Sequence, residues 1–456
     1  MKWITKKSLR HRFVELFVII ALLVVLLGKI LLRDDQGLIF LVVYGITVTL
    51  VLWMTFFVAF LVYKDPYKVA LEKEHKGIVP PKKDLFVSCM VAVKDEEKNI
   101  ARCVDSMLNQ TYKNKEIIVV NDASTDGTLG ILRDYEAKGK IQLINLEQNV
   151  GKKRALAQAM LIAKGDIYAH TDSDSVWAPD VIEKIEKVFE YFPDVGAVSG
   201  HGRALNGDDN LLTKIQDSWM EGQFSVRKSF ESVFGAVTCV SGPLAVFRKE
   251  AVFNFIPAWM FDKFLGQEFK FATDRTMTGF VLGSKAVGEK LKKKYHDSVF
   301  IKSANYPVKE WKVVYCKSAK SWTIVPDTFK RLLRQQIRWK KSFIRNSFFT
   351  GSFFWRRPLP VAFVYYVHIL FVLVGPFIVF RHLIYLPLQG NIFSALLYVS
   401  GVLFVGFTLG LAYKLENKHC HKWIYRPGMS ILSTFVLTWL VFYSALTIRK
   451  MTWIRS

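Results

Sequence analysis

The chain has 456 residues, 51% of them hydrophobic and 14% aromatic, with a mean hydropathy of +0.20 and a formal net charge of +24. That is too apolar for an ordinary soluble enzyme of this length and directs attention to membrane spans. The charge does not argue for nucleic acid, because the basic residues are spread through loops and juxtamembrane positions with no nucleic-acid motif; anionic membrane lipid, a nucleotide diphosphate or an acidic polymer suits them better.

The first elements are apolar. Phe13–Leu32 and Leu38–Tyr63 each provide about the twenty residues that a bilayer core requires. The first carries Glu15 and Lys29 only near its ends, is too long for a signal-peptide core and is followed at once by the second, so both are read as retained spans. Lys2, Lys6, Lys7, Arg10 and Arg12 precede them and Lys64, Lys68, Lys73 and Lys76 follow, whereas the turn between them holds Arg33, Asp34 and Asp35. The positive-inside rule then puts the N-terminus and the following domain in the cytoplasm of a multi-pass plasma-membrane protein.

A polar linker, Asp65–Asp84, leads to a regular alternation. Strands are expected at Leu85–Val93, Glu116–Asn121, Ile141–Leu146, Asp166–His170 and Val195–Gly200, and helices at Glu97–Asn109, Gly127–Lys138, Lys152–Lys164 and Pro179–Phe192. This is the pattern of an α/β fold with a mostly parallel sheet, in which ligands bind at the carboxyl ends of the strands. Asn210–Phe230 and Thr328–Phe349 read as amphipathic helices suited to the membrane interface. Leu359–Phe380, Ile392–Tyr413 and Met429–Ile448 are three further apolar segments. Lys414, Lys418, Lys422 and Arg426 fall inside by the same rule, but a fifth crossing would place Arg449, Lys450 and Arg455 outside. The tail is therefore an exception, or one C-terminal segment lies in the interface or re-enters. The expected division is 1–64, two spans; 65–84, linker; 85–326, cytoplasmic catalytic domain; 327–358, interfacial helices; 359–456, C-terminal membrane region.

The five cysteines, Cys89, Cys103, Cys239, Cys316 and Cys420, show no paired metal spacing and predict no disulfides. His419-Cys420-His421 lacks a second pair and reads as an interfacial loop. Asp172 and Asp174 are different: two carboxylates two residues apart at a strand end provide hard oxygen ligands for Mg²⁺ or Mn²⁺. Gly151-Lys152-Lys153-Arg154 opens a helix whose amides and lysines can meet phosphate, with Lys153 the chosen contact. Gln335, Arg338 and Trp339 lie at i, i+3 and i+4 and share one helical face, so Arg338 can pair with a diphosphate while Trp339 stacks on a sugar.

In this order, His170-Thr171-Asp172-Ser173-Asp174, Ser241-Gly242-Pro243, Thr273-Asp274-Arg275 and Gln335-Gln336-Ile337-Arg338-Trp339 resemble the processive family 2 glycosyltransferases, membrane synthases of hyaluronan, chitin, poly-N-acetylglucosamine and cellulose. The resemblance covers roughly Leu85 to Ser342 and is strongest to the hyaluronan synthases. It implies a family A type glycosyltransferase domain fused to a helical transmembrane region. By that likeness Asp274 is the catalytic base, Asp172 lies by the nucleoside and diphosphate, Asp174 binds the metal, and Val91, Glu96 and Asp122 edge the uridine pocket. Gln335, Trp339 and Cys239 would touch the acceptor. Ala272-Thr273 stands where the family more often has Gly-Asp, and Ala92 and Asp95 replace a Pro and an Asn. The implied reaction is inverting transfer from UDP-sugars to a growing polysaccharide, hyaluronan first, with chitin or poly-N-acetylglucosamine as alternatives. A non-catalytic scaffold subunit and a polytopic transporter are readings of other classes. Oligomeric state is not legible.

Overall fold

The computed structural model describes residues 34–417 and 419–450. Ten strands follow in chain order: β1 Val87–Val93, β2 Lys115–Asp122, β3 Gln142–Leu146, β4 Ile167–Thr171, β5 Ser175–Trp177, β6 Val195–Ala204, β7 Ala245–Arg248, β8 Lys263–Phe264, β9 Gln267–Glu268 and β10 Lys312–Thr323. Eight form one sheet in the order β3-β2-β1-β4-β7-β6-β10-β5, and β8 and β9 make a separate hairpin. The β3-β2-β1-β4 half is parallel, as short Val/Ile-rich strands joined by the helices Ile100–Leu108, Thr128–Ala137 and Lys152–Ile162 require. β7 runs antiparallel to both β4 and β6, and β6 is parallel to β10.

Successive side chains of β1 feed opposite layers. Cys89, Val91 and Val93 pack with Val104, Met107 and Ile185, whereas Met90 packs with Ile118, Leu156 and Tyr168. Both faces are therefore covered, and the loops at the carboxyl ends of the strands are left to form a site.

The expected helices and strands of this half are present, with ends shifted by a few residues. Other features differ from expectation. The segment read as a linker contains the helix Pro66–His75, whose N-cap Asp65 accepts from the amides of Tyr67 at 3.0 Å and Ser318 at 2.7 Å. A proline at the first helical position and an aspartate before it are a helix start, so the prolines here begin structure as well as interrupt it. β5, β7, β10 and the β8–β9 hairpin also lie outside the expected strands.

The long apolar helices Val43–His75, Leu359–Leu388 and Ile392–Glu416 are each sufficient in length and composition to cross a membrane. The expected straight span Met429–Ile448 is instead broken: Lys422–Leu437 and Leu440–Leu446 meet at 46°, the geometry of a broken span or re-entrant loop. The bend follows a π-helical turn at Ser433–Leu437, a common cause of such kinks. The expected span Phe13–Leu32, the basic residues Lys2, Lys6, Lys7, Arg10 and Arg12, and Lys418 and Arg455 lie outside the described residues.

The two amphipathic segments join the sheet to the apolar helices. Leu211–Gly222 continues as a π-helix at Gln223–Lys228, and Arg203 beside it pairs with Asp217 at 2.8 Å while donating to Tyr413 of the apolar helix at 2.8 Å. The helix Phe329–Gly351 packs between Thr273–Leu282 and Leu440–Leu446.

Candidate active site

The site forms where the first four strands end. Asp122, the last residue of β2, accepts hydrogen bonds from the amides of Val150 at 2.7 Å and Gly151 at 2.9 Å. Gly151 has φ of +83°, where a side chain would be strained, and so can turn the chain sharply into the helix Lys152–Ile162. Asp122 therefore shapes the turn that presents Lys152. Beside it, Asp95 accepts from the amide and hydroxyl of Thr125, at 2.7 Å and 3.2 Å, and the amide of Glu96 donates to Thr128 at 2.8 Å. The Glu96 side chain accepts from Asn99 at 2.8 Å. Val91 is wholly buried in the sheet, in register with Val119 on one side and Thr171 on the other.

Lys152 donates to Asp172, just beyond the end of β4. Despite the cost of burial, the surrounding carboxylates Asp172, Asp274 and Asp174 hold its ammonium above the usual lysine range. Lys153, the lysine chosen from sequence, points elsewhere: it pairs with Asp262 at 3.0 Å and donates to the Phe269 carbonyl at 2.8 Å, in the interior. Adjacent helical residues diverge by about 100°, so only one of the two lysines can face the strand ends.

Asp174 accepts from Thr323 at 3.0 Å and Ser175 at 3.2 Å. Burial first, and then the charge of Asp172, push its carboxyl up to about 6. Two carboxylates crowded in this way are a donor set that a divalent cation would relieve. Among the described residues no three His, Cys, Asp or Glu side chains converge as a complete cage. Asp172 and Asp174 offer hard oxygen donors of the kind that Mg²⁺ or Mn²⁺ takes together with substrate phosphates.

Ser241-Gly242-Pro243 closes over these acids. A Cβ at Gly242 would stand 2.4 Å from Asp172 Oδ2, and the Pro243 carbonyl accepts from Trp177 at 2.7 Å and Thr171 at 3.1 Å. Opposite, Asp274 occupies the first turn of Thr273–Leu282, and the thiol of Cys239 lies 3.8 Å from its carboxylate. Thr278 of this helix accepts from the Val240 amide at 3.0 Å, which fixes the Cys239 loop to the Asp274 helix. Lys152, His170, Gly242, Trp259 and Asp274 line one cleft.

His170 is the other nitrogen base in the cleft. Burial, and then the charge of Lys152, lower it to about 3. Lys228, which sequence reading overlooked, donates to Ser241 at 2.5 Å and Ser199 at 2.8 Å beneath the Gly242 loop, and burial lowers it to about 8. Its only signal was membership of an amphipathic basic run.

The Gln335–Trp339 face belongs to the helix Phe329–Gly351. Trp339 is 44% exposed and stacks on Trp219 at 5.8 Å, leaving indole surface open, while Gln335 and Arg338 are half-buried. Burial lowers Arg338 from the usual arginine range. None of these three lines the cleft of Asp274.

A mostly parallel α/β sheet with paired aspartates at a strand end and an acid on a later helix is the arrangement expected of a family A type glycosyltransferase domain. Residues 88–253 match the model of glycosyl transferase family 2. It is 25% identical to a hyaluronan synthase of Streptococcus pyogenes over 81% of this chain and 83% of that one. It is 28% identical to an N-acetylglucosaminyltransferase of Rhizobium sp. (strain N33) over 59% of this chain and 54% of that one. A solved mannosyltransferase of Pyrobaculum calidifontis, in complex with GDP-Man and Mn²⁺, is 16% identical with a TM-score of 0.48, covering 88% of this chain and 98% of that one.

Proposed function

We propose that this chain is a membrane-embedded, processive, inverting glycosyltransferase that makes and secretes hyaluronan from UDP-N-acetylglucosamine and UDP-glucuronate. The observation that carries the reading is the cleft lined by Lys152, Gly242 and Asp274, beside which Asp172 pairs with Lys152 and abuts Gly242. Asp274 takes the proton of the acceptor hydroxyl as that oxygen attacks the anomeric carbon and the bond to the diphosphate breaks. Lys152 and Arg338 offset the charge that grows on the leaving UDP, and Trp339 provides a stacking face for the acceptor sugar. Asp174 and Asp172 would hold a divalent cation, which supplies Lewis-acid stabilisation of the diphosphate when bound.

The divisions 1–64 and 359–456 anchor the domain 85–326 at the cytoplasmic face of the plasma membrane, and the helices of 327–358 join catalysis to an exit path. Hyaluronan is favoured by the 81% coverage of the streptococcal relative; the N-acetylglucosaminyltransferase relative supports a chitin or poly-N-acetylglucosamine synthase as the second reading.

The test is UDP release by purified protein in lipid. Turnover with UDP-sugars should require Mn²⁺ or Mg²⁺ and fall roughly 10³-fold or more in Asp174→Asn, the loss of several kcal/mol of transition-state stabilisation. Native turnover by that variant at limiting metal would refute the assignment.

A further inference from the structure

Three segments distant in sequence meet at one buried carboxylate. Asp262 precedes the β8–β9 hairpin and pairs with Lys153 at 3.0 Å and with Arg345 through its other oxygen. The side chains of Lys153, Asp262 and Arg345 are 5%, 4% and 6% exposed. Arg345 also donates to Asn346 at 3.1 Å and lies over the Phe349 ring at 4.5 Å, and Lys153 donates to Phe269, so the three charges are held by neutral groups as well.

Burying three charges is an expensive way to gain stability, because desolvation offsets most of the pairing and an apolar triad of similar volume does as well or better. Such a group is better suited to setting register. Lys153 follows Lys152, so holding Lys153 fixes the azimuth at which the helix Lys152–Ile162 offers Lys152 to Asp172. Arg345 lies seven residues, about two turns, beyond Arg338, on the same side of the helix Phe329–Gly351. The segment carrying Asp262 also includes Trp259, whose indole donates to the Thr273 carbonyl at 2.8 Å, one residue before Asp274.

We propose that Asp262, clamped by Lys153 and Arg345, is a positioning residue for sugar transfer: it sets the register of the Gln335–Trp339 helix against the helix that presents Lys152 to Asp172. The proposal rests on the glycosyltransferase reading above. It touches neither donor nor acceptor, and it acts by keeping the donor side and acceptor side of the reaction at one spacing. Misplacement by about 1 Å is enough to cost on the order of 10²-fold in rate.

The experiment uses the full chain in lipid. Wild-type UDP release with UDP-sugars checks the parent reading by itself. Asp262→Asn is expected to lower kcat about 10- to 100-fold while donor KM changes less than about threefold, with Asp262→Glu recovering part of the rate. Hydrogen exchange, which needs no turnover, should rise together in 261–272 and 329–351 in Asp262→Asn. The triple variant Lys153→Met, Asp262→Leu, Arg345→Met separates position from stability. It should regain the wild-type thermal midpoint but not the wild-type elongation rate. A triple variant that elongates at the native rate, or an Asp262→Asn protein with native kcat and unchanged exchange, would overturn the proposal whether or not the sugars are those named above.

Discussion

At the scale of single residues, the account turns on Asp274 and on the space around Asp172. Asp274→Asn preserves shape but removes the proton acceptor, so donor KM should stay within a few-fold while transfer to acceptor falls by roughly 10² to 10⁴. Steady-state kinetics with UDP-sugar and a primed acceptor reads both, and native elongation would move the base elsewhere. Gly242→Ala brings a methyl to 2.4 Å from Asp172 Oδ2, so the carboxylate or the loop must move. Turnover should drop on the order of 10²-fold with little change in thermal midpoint, and an unaffected rate would show that Asp172 need not sit where it does. The acids were legible in sequence because their spacing and order are unusual together. Lys152 and Lys153 were not distinguishable, because which of two adjacent helical residues faces a strand end depends on the seating of the helix on the sheet. Cys239 is an acceptor-side residue by resemblance alone, and its thiol lies 3.8 Å from the Asp274 carboxylate.

Elements carry the next layer. The helix Phe329–Gly351 holds Trp339 half-stacked on Trp219, and Trp339→Ala should shorten the polymer at saturating UDP-sugars far more than it weakens UDP binding. Gel filtration of the product checks this, and unchanged long product would reduce Trp339 to a structural anchor. The π-helical turn Gln223–Lys228 delivers Lys228 to Ser199 and Ser241. Burial lowers Lys228 to about 8 from an ordinary 10.5, so between those values the unfolded chain holds the proton and the folded chain does not. Stability contributed by this group therefore rises with pH across that window and is lost as pH falls through about 8. The thermal midpoint should climb less between pH 8 and 10 in Lys228→Met than in the wild type; equal slopes would mean that the amine is not desolvated. The parallel half of the sheet was readable because short Val/Ile strands alternate with amphipathic helices. β7 has four residues, too few to show a period. β10 carries Lys317, Ser318 and Lys320, and its pairing with β6 shifts register between Tyr315 and Lys320, so no clean alternation reaches the sequence. Lys317 is nonetheless satisfied, by an ion pair with Glu416 at the end of an apolar helix.

Across the whole molecule, the transferase domain and the apolar helices are joined by polar contacts. Arg203 of β6 reaches Asp217, Glu221 and Tyr413, and Lys422 returns to Asp217 at 3.3 Å. These contacts span the Leu211–Gly222 helix, which explains why that segment reads as amphipathic: its polar side is buried against charge, not facing water. Lys422–Leu437 and Leu440–Leu446 have the geometry of a broken span or a re-entrant loop, and the second would return Arg449 and Lys450 to the side of Lys422 and Arg426. In the proposed reaction, the cleft of Lys152 and Asp274 alternates two UDP-sugars into one polymer. The most direct measurement incubates purified protein in lipid with UDP-N-acetylglucosamine alone, UDP-glucuronate alone and both together, and then digests the product with linkage-specific glycosidases. Long polymer only from the pair, degraded by hyaluronan lyase and resistant to chitinase, is the predicted result; polymer from UDP-N-acetylglucosamine alone, or no UDP release from any UDP-sugar, would contradict it.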